Sequence, residues 1–318
     1  MTQGTTPTPS RPADPPLRQE QFDALREIIY SRTGIHFPDA RKGVLQSRLA
    51  RRLTELGLES FHQYVTYLRI APQRSSELEE MLARVAVTQT AFFRDPSQLS
   101  AIAGELLPTL IEARRRERSL RLWCAACATG EDAYTLAILV HRALGERLPD
   151  WRIQIVGTDM SAKALAAAEE ARYADDALRA VEPALRDRYF NRDGPYWRPD
   201  PLVRSLVGFS RHNLKDRPGA RQFGLFDAAV CRNALIYFDA AMRSSVASMF
   251  AGQLRPDGWL VVGAAESFDG LHVPLAPCGP PGAHAYRPVQ PTPPHATAPG
   301  SARPALRIAH TENPPCAS

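Results

Sequence analysis

The sequence predicts an α/β protein, a mostly parallel sheet covered by helices, with a small all-helical domain in front of it. Two observations carry this. From about Leu120, short apolar runs alternate with longer stretches of helical periodicity, as in chains built from βαβ units. From residue 17 to 84, apolar residues recur at three- and four-residue spacing, and no strand is needed. The 318 residues, 44% hydrophobic and 23% charged, leave room for two domains, one of them large.

Residues 1–16 and 289–318 are rich in Pro, Thr, Ala and Ser and poor in large apolar side chains, so both ends are expected to be disordered. The helical domain should hold about four helices. Phe22, Leu25, Ile28 and Ile29 mark the first, stopped at Gly34. Val44, Leu45, Leu49 and Leu53 mark the second, closing at Gly57. Phe61, Tyr64, Val65 and Leu68 mark the third, ending before Pro72, and Leu78, Met81, Leu82 and Val85 mark the fourth. The larger domain spans 85–288. Its strands are expected at Leu120–Ala126, Arg152–Thr158, Leu206–His212, Phe226–Cys231 and Trp259–Ala264. Asp132–Leu144, Ser161–Arg172 and Asp239–Leu254 read as the helices between them.

Composition excludes several classes. No apolar run approaches the roughly 18 residues of a membrane span, so no membrane insertion is expected. The Thr/Pro-rich start lacks a signal peptide's apolar stretch. Five cysteines at irregular spacing suit a reducing compartment, and the cytoplasm is the expected location. The net charge of +5 permits an acidic partner without implying nucleic acid. Cys124 and Cys127 form a Cys-x-x-Cys with no second pair, so they read as structural and no metal site is expected.

The chemistry gathers at strand ends, where open α/β sheets bind ligands. The first strand runs into Cys127-Ala-Thr-Gly-Glu-Asp132, a loop of small residues entering a helix. It is neither Gly-x-Gly-x-x-Gly nor a Walker loop, so a pyrophosphate is not expected there. Glu131 either binds an amine-bearing ligand or caps the helix. The second strand ends at Asp159, placed to accept ribose hydroxyls or to cap the next helix. The third leads to Asn213 and Leu214, where Asn213 meets an adenine edge or closes an Asx-turn. The fourth ends at Arg232 and Asn233, with Tyr237 four residues on. A nucleoside without a pyrophosphate satisfies these loops, and S-adenosylmethionine is such a ligand. Val87–Pro96, Thr-rich and then Phe-Phe-Arg, suits a lid over the site or a seam between the domains.

Together these segments resemble the chemotaxis-receptor protein-glutamate methyltransferases, the CheR family. The matching pieces are Thr90-Ala-Phe-Phe-Arg94, Ala125-Ala-Cys-Ala-Thr-Gly-Glu131, Thr158-Asp159, Asn213-Leu214, Cys231-Arg-Asn-Ala-Leu-Ile-Tyr-Phe-Asp239 and Leu254-Arg-Pro-Asp-Gly258. The resemblance runs from about Leu17 to Pro288. It implies a class I S-adenosylmethionine-dependent methyltransferase sheet (Rossmann-like) behind an all-α receptor-binding domain, with a short antiparallel β insertion at about 189–206. It also implies that Thr88, Thr90, Arg94, Glu131, Asp159, Asn213, Leu214, Arg232 and Asn233 surround S-adenosylmethionine. Arg94 and Tyr237 would then lie nearest the transferred methyl. Thr88 stands where the family often carries Asn.

The implied substrate is a glutamate carboxylate, ionised at neutral pH with a pKa near ~4.3, so no general base is required. The implied partner is the helical bundle of a chemoreceptor's cytoplasmic region, met by a monomeric enzyme. Arg48, Arg51 and Arg52, with Arg41 and Lys42, would face that acidic bundle, unless they form an ordinary solvated face. Two other functions share the cofactor pocket: a methyltransferase acting on nucleic acid or a small molecule, and a non-catalytic cofactor-sensing adaptor of a signalling array.

Overall fold

The computed structural model describes residues 15–70, 74–85 and 90–289. The expectations for residues 1–14 and 290–318 lie outside them, as does the candidate site residue Thr88.

The first four helices are α1 (Gln19–Thr33), α2 (Lys42–Glu55), α3 (Phe61–Ile70) and α4 (Arg74–Val85). The apolar residues spaced three and four apart point inward. Phe22, Leu25, Ile29, Leu45, Leu49, Leu53, Phe61 and Tyr64 form one buried core. Gly34, at φ 76°, ends α1 with its N–H on the Tyr30 carbonyl, a left-handed cap that costs glycine nothing sterically.

Next come α5 (Pro96–Ala101) and α6 (Leu107–Ala113), joined by a π-helical stretch at Ile102–Leu106. The expected alternation follows: β1 (Ser119–Ala125), α7 (Glu131–Leu144), β2 (Arg152–Asp159), α8 (Ala162–Glu170) and α9 (Pro183–Tyr189). A hairpin of β3 (Phe190–Asp193) and β4 (Tyr196–Pro199) then occupies the place expected for the insertion, with Gly194 in its turn at φ 60°. It forms its own two-stranded antiparallel sheet. The chain continues through α10 (Pro201–Ser205), β5 (Val207–Arg211), α11 (Arg217–Ala220), β6 (Phe226–Cys231), α12 (Ala240–Gln253), β7 (Leu254–Val262), β8 (Leu275–Cys278) and β9 (Ala285–Pro288).

The main sheet has the order β5-β2-β1-β6-β7-β9-β8. Its first five strands are parallel, while β9 runs antiparallel to β7 and β8 antiparallel to β9. The chain winds outward from β1 through β2 to β5, then returns to β6 on the other side of β1. This reversal opens a crevice past the carboxyl ends of β1 and β6, where ligands of doubly wound sheets bind.

Two expectations about strands need correction. The fifth parallel strand begins at Leu254 rather than Trp259, and holds Arg255–Gly258 as a bulge between its pairings with Phe226 and Ala228. A Cβ at Gly258 would lie 2.9 Å from the Asp227 carbonyl, so the bulge closes only on glycine. Asp257 within it takes Arg114, which also binds the buried Asp227, tying α6 to β6 and β7. The antiparallel pair β8 and β9 was not expected at all.

Candidate functional site

The reversal in strand order brings four loops together, and their geometry is strained where they meet. Eight non-glycine residues have positive φ among the described residues; three of them, Ala126, Ala128 and Asn233, line the crevice, and two more, Phe93 and Asp95, flank Arg94 in its wall. Such conformations cost of order 1–3 kcal/mol each and cluster at functional sites. At Ala126 and Ala128 the methyl side chains leave the backbone open to a ligand.

The crevice has two lobes that share Ala126, Ala128, Asn233 and Tyr237 as lining. One is mostly apolar. Met160, Leu214, Ala234 and Phe238 line it from the sheet domain, and Thr33, Ile35 and Val85 from the helical domain. Asp159 and Asn213 stand at its edge. The other is polar, with Thr90, Arg94, Asp132, Arg179, Arg232 and Ile236 in its wall.

Asp159 ends β2 and accepts two backbone N–H bonds, from Ala128 (3.0 Å) and Ser161 (2.9 Å). These fix the loop after β1 to the end of β2. Burial raises its pKa above the ordinary carboxylate value, against the pull of those bonds. Asn213 donates to the Arg32 carbonyl at 2.7 Å and accepts from the Lys215 N–H, so it closes an Asx-turn and also ties the site to α1. His212, not singled out in the sequence, lines the apolar lobe, and its buried Nε2 has no hydrogen-bond partner. Burial lowers its pKa, favouring the neutral imidazole.

Asn233 and Tyr237 owe their place to Glu266. Its buried carboxylate accepts the N–H groups of Asn233 (2.9 Å), Ile236 (3.1 Å) and Gly263 (2.6 Å). The turn carrying Tyr237 is thus held from below by one side chain. Above it, Arg41 lies over the Tyr237 ring at 5.7 Å, and His36 donates its N–H to the Tyr237 carbonyl.

Four candidate residues make contacts that the sequence does not announce. Glu131 lies beneath the loop after β1, only 4% exposed, with the Thr129 hydroxyl donating to its carboxylate at 2.7 Å. Burial pushes its pKa up to about 7. It shapes the loop rather than lining the crevice. Arg232, with a side chain 1% exposed, is bound by Asp95 (2.8 Å), Asp132 (3.0 Å) and the Arg94 carbonyl (2.6 Å). It locks the Arg94 segment to the first turn of α7. Arg48 donates to the Val85 carbonyl at the end of α4, and Arg52 pairs with the buried Glu77, which also accepts the Tyr64 hydroxyl. Arg48 and Arg52 therefore clamp α2 to α4 instead of facing a partner. Arg51 remains exposed, paired only with Glu55 on its own helix among the described residues.

Cys124, Cys127 and Cys231 are buried free thiols whose pKa values are raised by burial, the opposite of a reactive thiolate. No group of three or more metal-ligating side chains occurs among the described residues. No helix among them is long and apolar enough to cross a membrane.

A sheet with this strand reversal, an acid closing its second strand and an apolar lobe beside a polar one is the setting in which a class I methyltransferase holds S-adenosylmethionine. The residues fit that cofactor. The apolar lobe suits an adenine, His212 leaves a buried polar atom unmet, and the alanine loop admits close approach. Sequence comparison completes the assignment. The family model described as "CheR methyltransferase, SAM binding domain" matches residues 88–278, and that described as "CheR methyltransferase, all-alpha domain" matches residues 20–85. The chain belongs to the CheR methyltransferase family. It is 34% identical over 265 residues to the chemotaxis protein methyltransferase of Salmonella typhimurium, covering 80% of this chain and 86% of that one. It is 32% identical over 265 residues to chemotaxis protein methyltransferase 1 of Pseudomonas aeruginosa, covering 81% and 95%. The Escherichia coli chemotaxis protein methyltransferase is likewise 32% identical over 265 residues, with 80% and 87% covered.

Proposed function

We propose that this enzyme methylates glutamate side chains of chemoreceptors, giving methyl esters, and that it does so in the cytoplasm. The observation that carries the reading is the polar lobe's lack of a base. Among the described residues lining it there is no histidine. Asp132 is spent on Arg232, and the Cys127 thiol is buried with a raised pKa. A hydroxyl or amine substrate would need a proton removed, whereas a carboxylate is ionised already.

When bound, S-adenosylmethionine supplies a sulfonium methyl, which a carboxylate oxygen takes while the C–S electron pair stays on sulfur and no proton moves. In this reading Asp159, Asn213 and Leu214 hold the adenosine in the apolar lobe. Thr90, Arg94 and Asn233 line the path to the amino-acid end. Arg94 orients the reacting carboxylate by a charge-assisted hydrogen bond, and Tyr237 adds a second. Glu131 and Arg232 support the cofactor from beneath. Residues 17–84 are the receptor-facing domain and 85–288 the methyltransferase domain. Arg51 on α2 and Arg41 just before it are both exposed, Arg41 over the Tyr237 ring, and these cations of the cluster are the ones that meet an acidic helical bundle.

The test is transfer of tritiated methyl from S-adenosylmethionine to receptor-enriched membranes, followed by alkali. Volatile methanol is the expected product. Alkali-stable label, label in RNA, or cofactor binding without turnover would each overturn the assignment.

A further inference from the structure

We propose that Arg179 is a second carboxylate-binding residue of the polar lobe, receiving the substrate's side-chain carboxylate at the mouth before methyl transfer. The proposal rests on the reading of the substrate as a glutamate. Two carboxylates must enter this lobe, the cofactor's own amino-acid carboxylate and the substrate's. Among the described residues three arginines line it: Arg94, Arg179 and Arg232. Arg232 is neutralised by Asp95 and Asp132. The other two are Arg94, which in the reading above meets the carboxylate at the reacting centre, and Arg179.

Arg179 is placed for the carboxylate that arrives from outside. Its side chain is 50% exposed, whereas that of Arg232 is 1% exposed. Its Nη1 bonds to the carbonyl and carboxylate of Asp176, both at 3.0 Å. Asp176 is 83% exposed, so this pair is screened by solvent and readily exchanged for a better partner. The backbone beneath is fixed. Leu178 is buried, and the Phe92 N–H donates to the Ala177 carbonyl at 2.9 Å. Phe92 packs edge-on against both Tyr173 and Phe190. This bond stitches the strand of chain carrying Arg94 to the one carrying Arg179, each arginine two residues beyond the junction. Also lining the lobe, Ile236 is 43% exposed and offers an apolar contact for the substrate's methylenes. No local motif marks Arg179, because it reaches the lobe from the segment before α9.

The experiment compares full-length wild type, Arg179→Ala and Arg179→Lys for methyl-ester formation on receptor-enriched membranes, with calorimetry of S-adenosylhomocysteine binding. Arg179→Ala should raise KM for receptor about tenfold or more, with kcat within about threefold and cofactor affinity unchanged. Arg179→Lys should recover most of the loss, which a purely structural role would not predict. The KM of Arg179→Ala should also depend less on salt than that of the wild type. An unchanged KM in Arg179→Ala, or a loss of cofactor affinity in place of the KM effect, overturns the assignment of Arg179 alone. A wild type that binds cofactor and forms no alkali-labile ester overturns both this proposal and the substrate reading beneath it.

Discussion

Glu266 shows how one buried side chain can decide the geometry of a site it does not enter. Three N–H groups converge on its carboxylate, two of them from the turn that ends in Tyr237, and Asn233 in that turn is held at φ 60°. Glu266→Ala leaves those donors unsatisfied and releases the strained turn. Turnover should fall on the order of 10- to 100-fold through misplacement of Tyr237, with far-UV circular dichroism unchanged. Wild-type turnover in that variant would refute the positioning role. Glu131 makes a different prediction, about pH. Its folded pKa, about 7, stands above the ordinary glutamate value of 4.5, so the folded protein binds this proton more tightly than the unfolded chain does. Its contribution to stability is full below the unfolded pKa and is lost as pH rises through 7. The loss is on the order of 3 kcal/mol, from about 2.5 pKa units at about 1.36 kcal/mol each. Glu131→Gln should therefore flatten the decline in stability of the cofactor-free protein between about pH 5 and 8, read from urea midpoints. Identical pH profiles for variant and wild type would show that the carboxyl is not titrating there.

Among the elements, α2 is where charge and packing are easily confused. In sequence its arginines form one basic cluster, and helical spacing places Arg48 and Arg52 on a shared face. That face turns inward, toward Glu77 and the end of α4. Arg52→Ala would strand the buried Glu77 carboxylate and should destabilise the protein by about 3–5 kcal/mol. Arg51→Glu should leave the unfolding midpoint nearly unchanged and slow receptor methylation at low salt. Equal stability losses in the two variants would mean that Arg52 is not a clamp. The same contrast explains what was legible in the sequence. Periodicity revealed the helices of the first domain and the five parallel strands, because each buries a regular stripe. Motifs at strand ends pointed to Asp159, Asn213 and Asn233, which line the crevice, because those residues sit next to the elements that present them. The β8–β9 pair stayed hidden. Each of its strands is four residues long and contains a proline, and between them lies Gly279-Pro-Pro-Gly282, which reads as loop. Arg179 and Ile35 stayed hidden for another reason: their place in the crevice is set by packing between distant segments, and nothing beside them in sequence records it.

For the whole molecule, the decisive feature is that the apolar lobe, proposed above to hold the adenosine, has walls from both domains. Thr33, Ile35 and Val85 close it from the helical side, and Ile35 pairs with Phe238 in an isolated antiparallel bridge. Carbonyls in the last turn of α1 accept donors from across the seam. Lys215 donates to Tyr30 and Ser31, and Asn213 to Arg32. Arg211 adds an ion pair to Glu79 at 2.8 Å. Cofactor affinity should therefore depend on how the domains seat, and Gly34 tests this. It sits at φ 76° between two lobe residues, and a Cβ there would lie 2.6 Å from Met242 Sδ, across the seam. Gly57, at φ 66°, has open space at the same position. Alanine at either site incurs the left-handed backbone penalty, on the order of 1 kcal/mol. Only at Gly34 does it also drive a wedge between the domains. Both Gly34→Ala and Gly57→Ala should thus lose similar stability from backbone strain, with a further loss at Gly34 from displaced Met242. By calorimetry, S-adenosylhomocysteine affinity should fall about tenfold in Gly34→Ala and stay at the wild-type value in Gly57→Ala. The thermal midpoint should rise on adding that ligand as a single transition in the wild type, since a ligand held by both domains stabilises them together. Equal affinities in the two glycine variants would place the whole cofactor site in the sheet domain and leave the helical domain out of it.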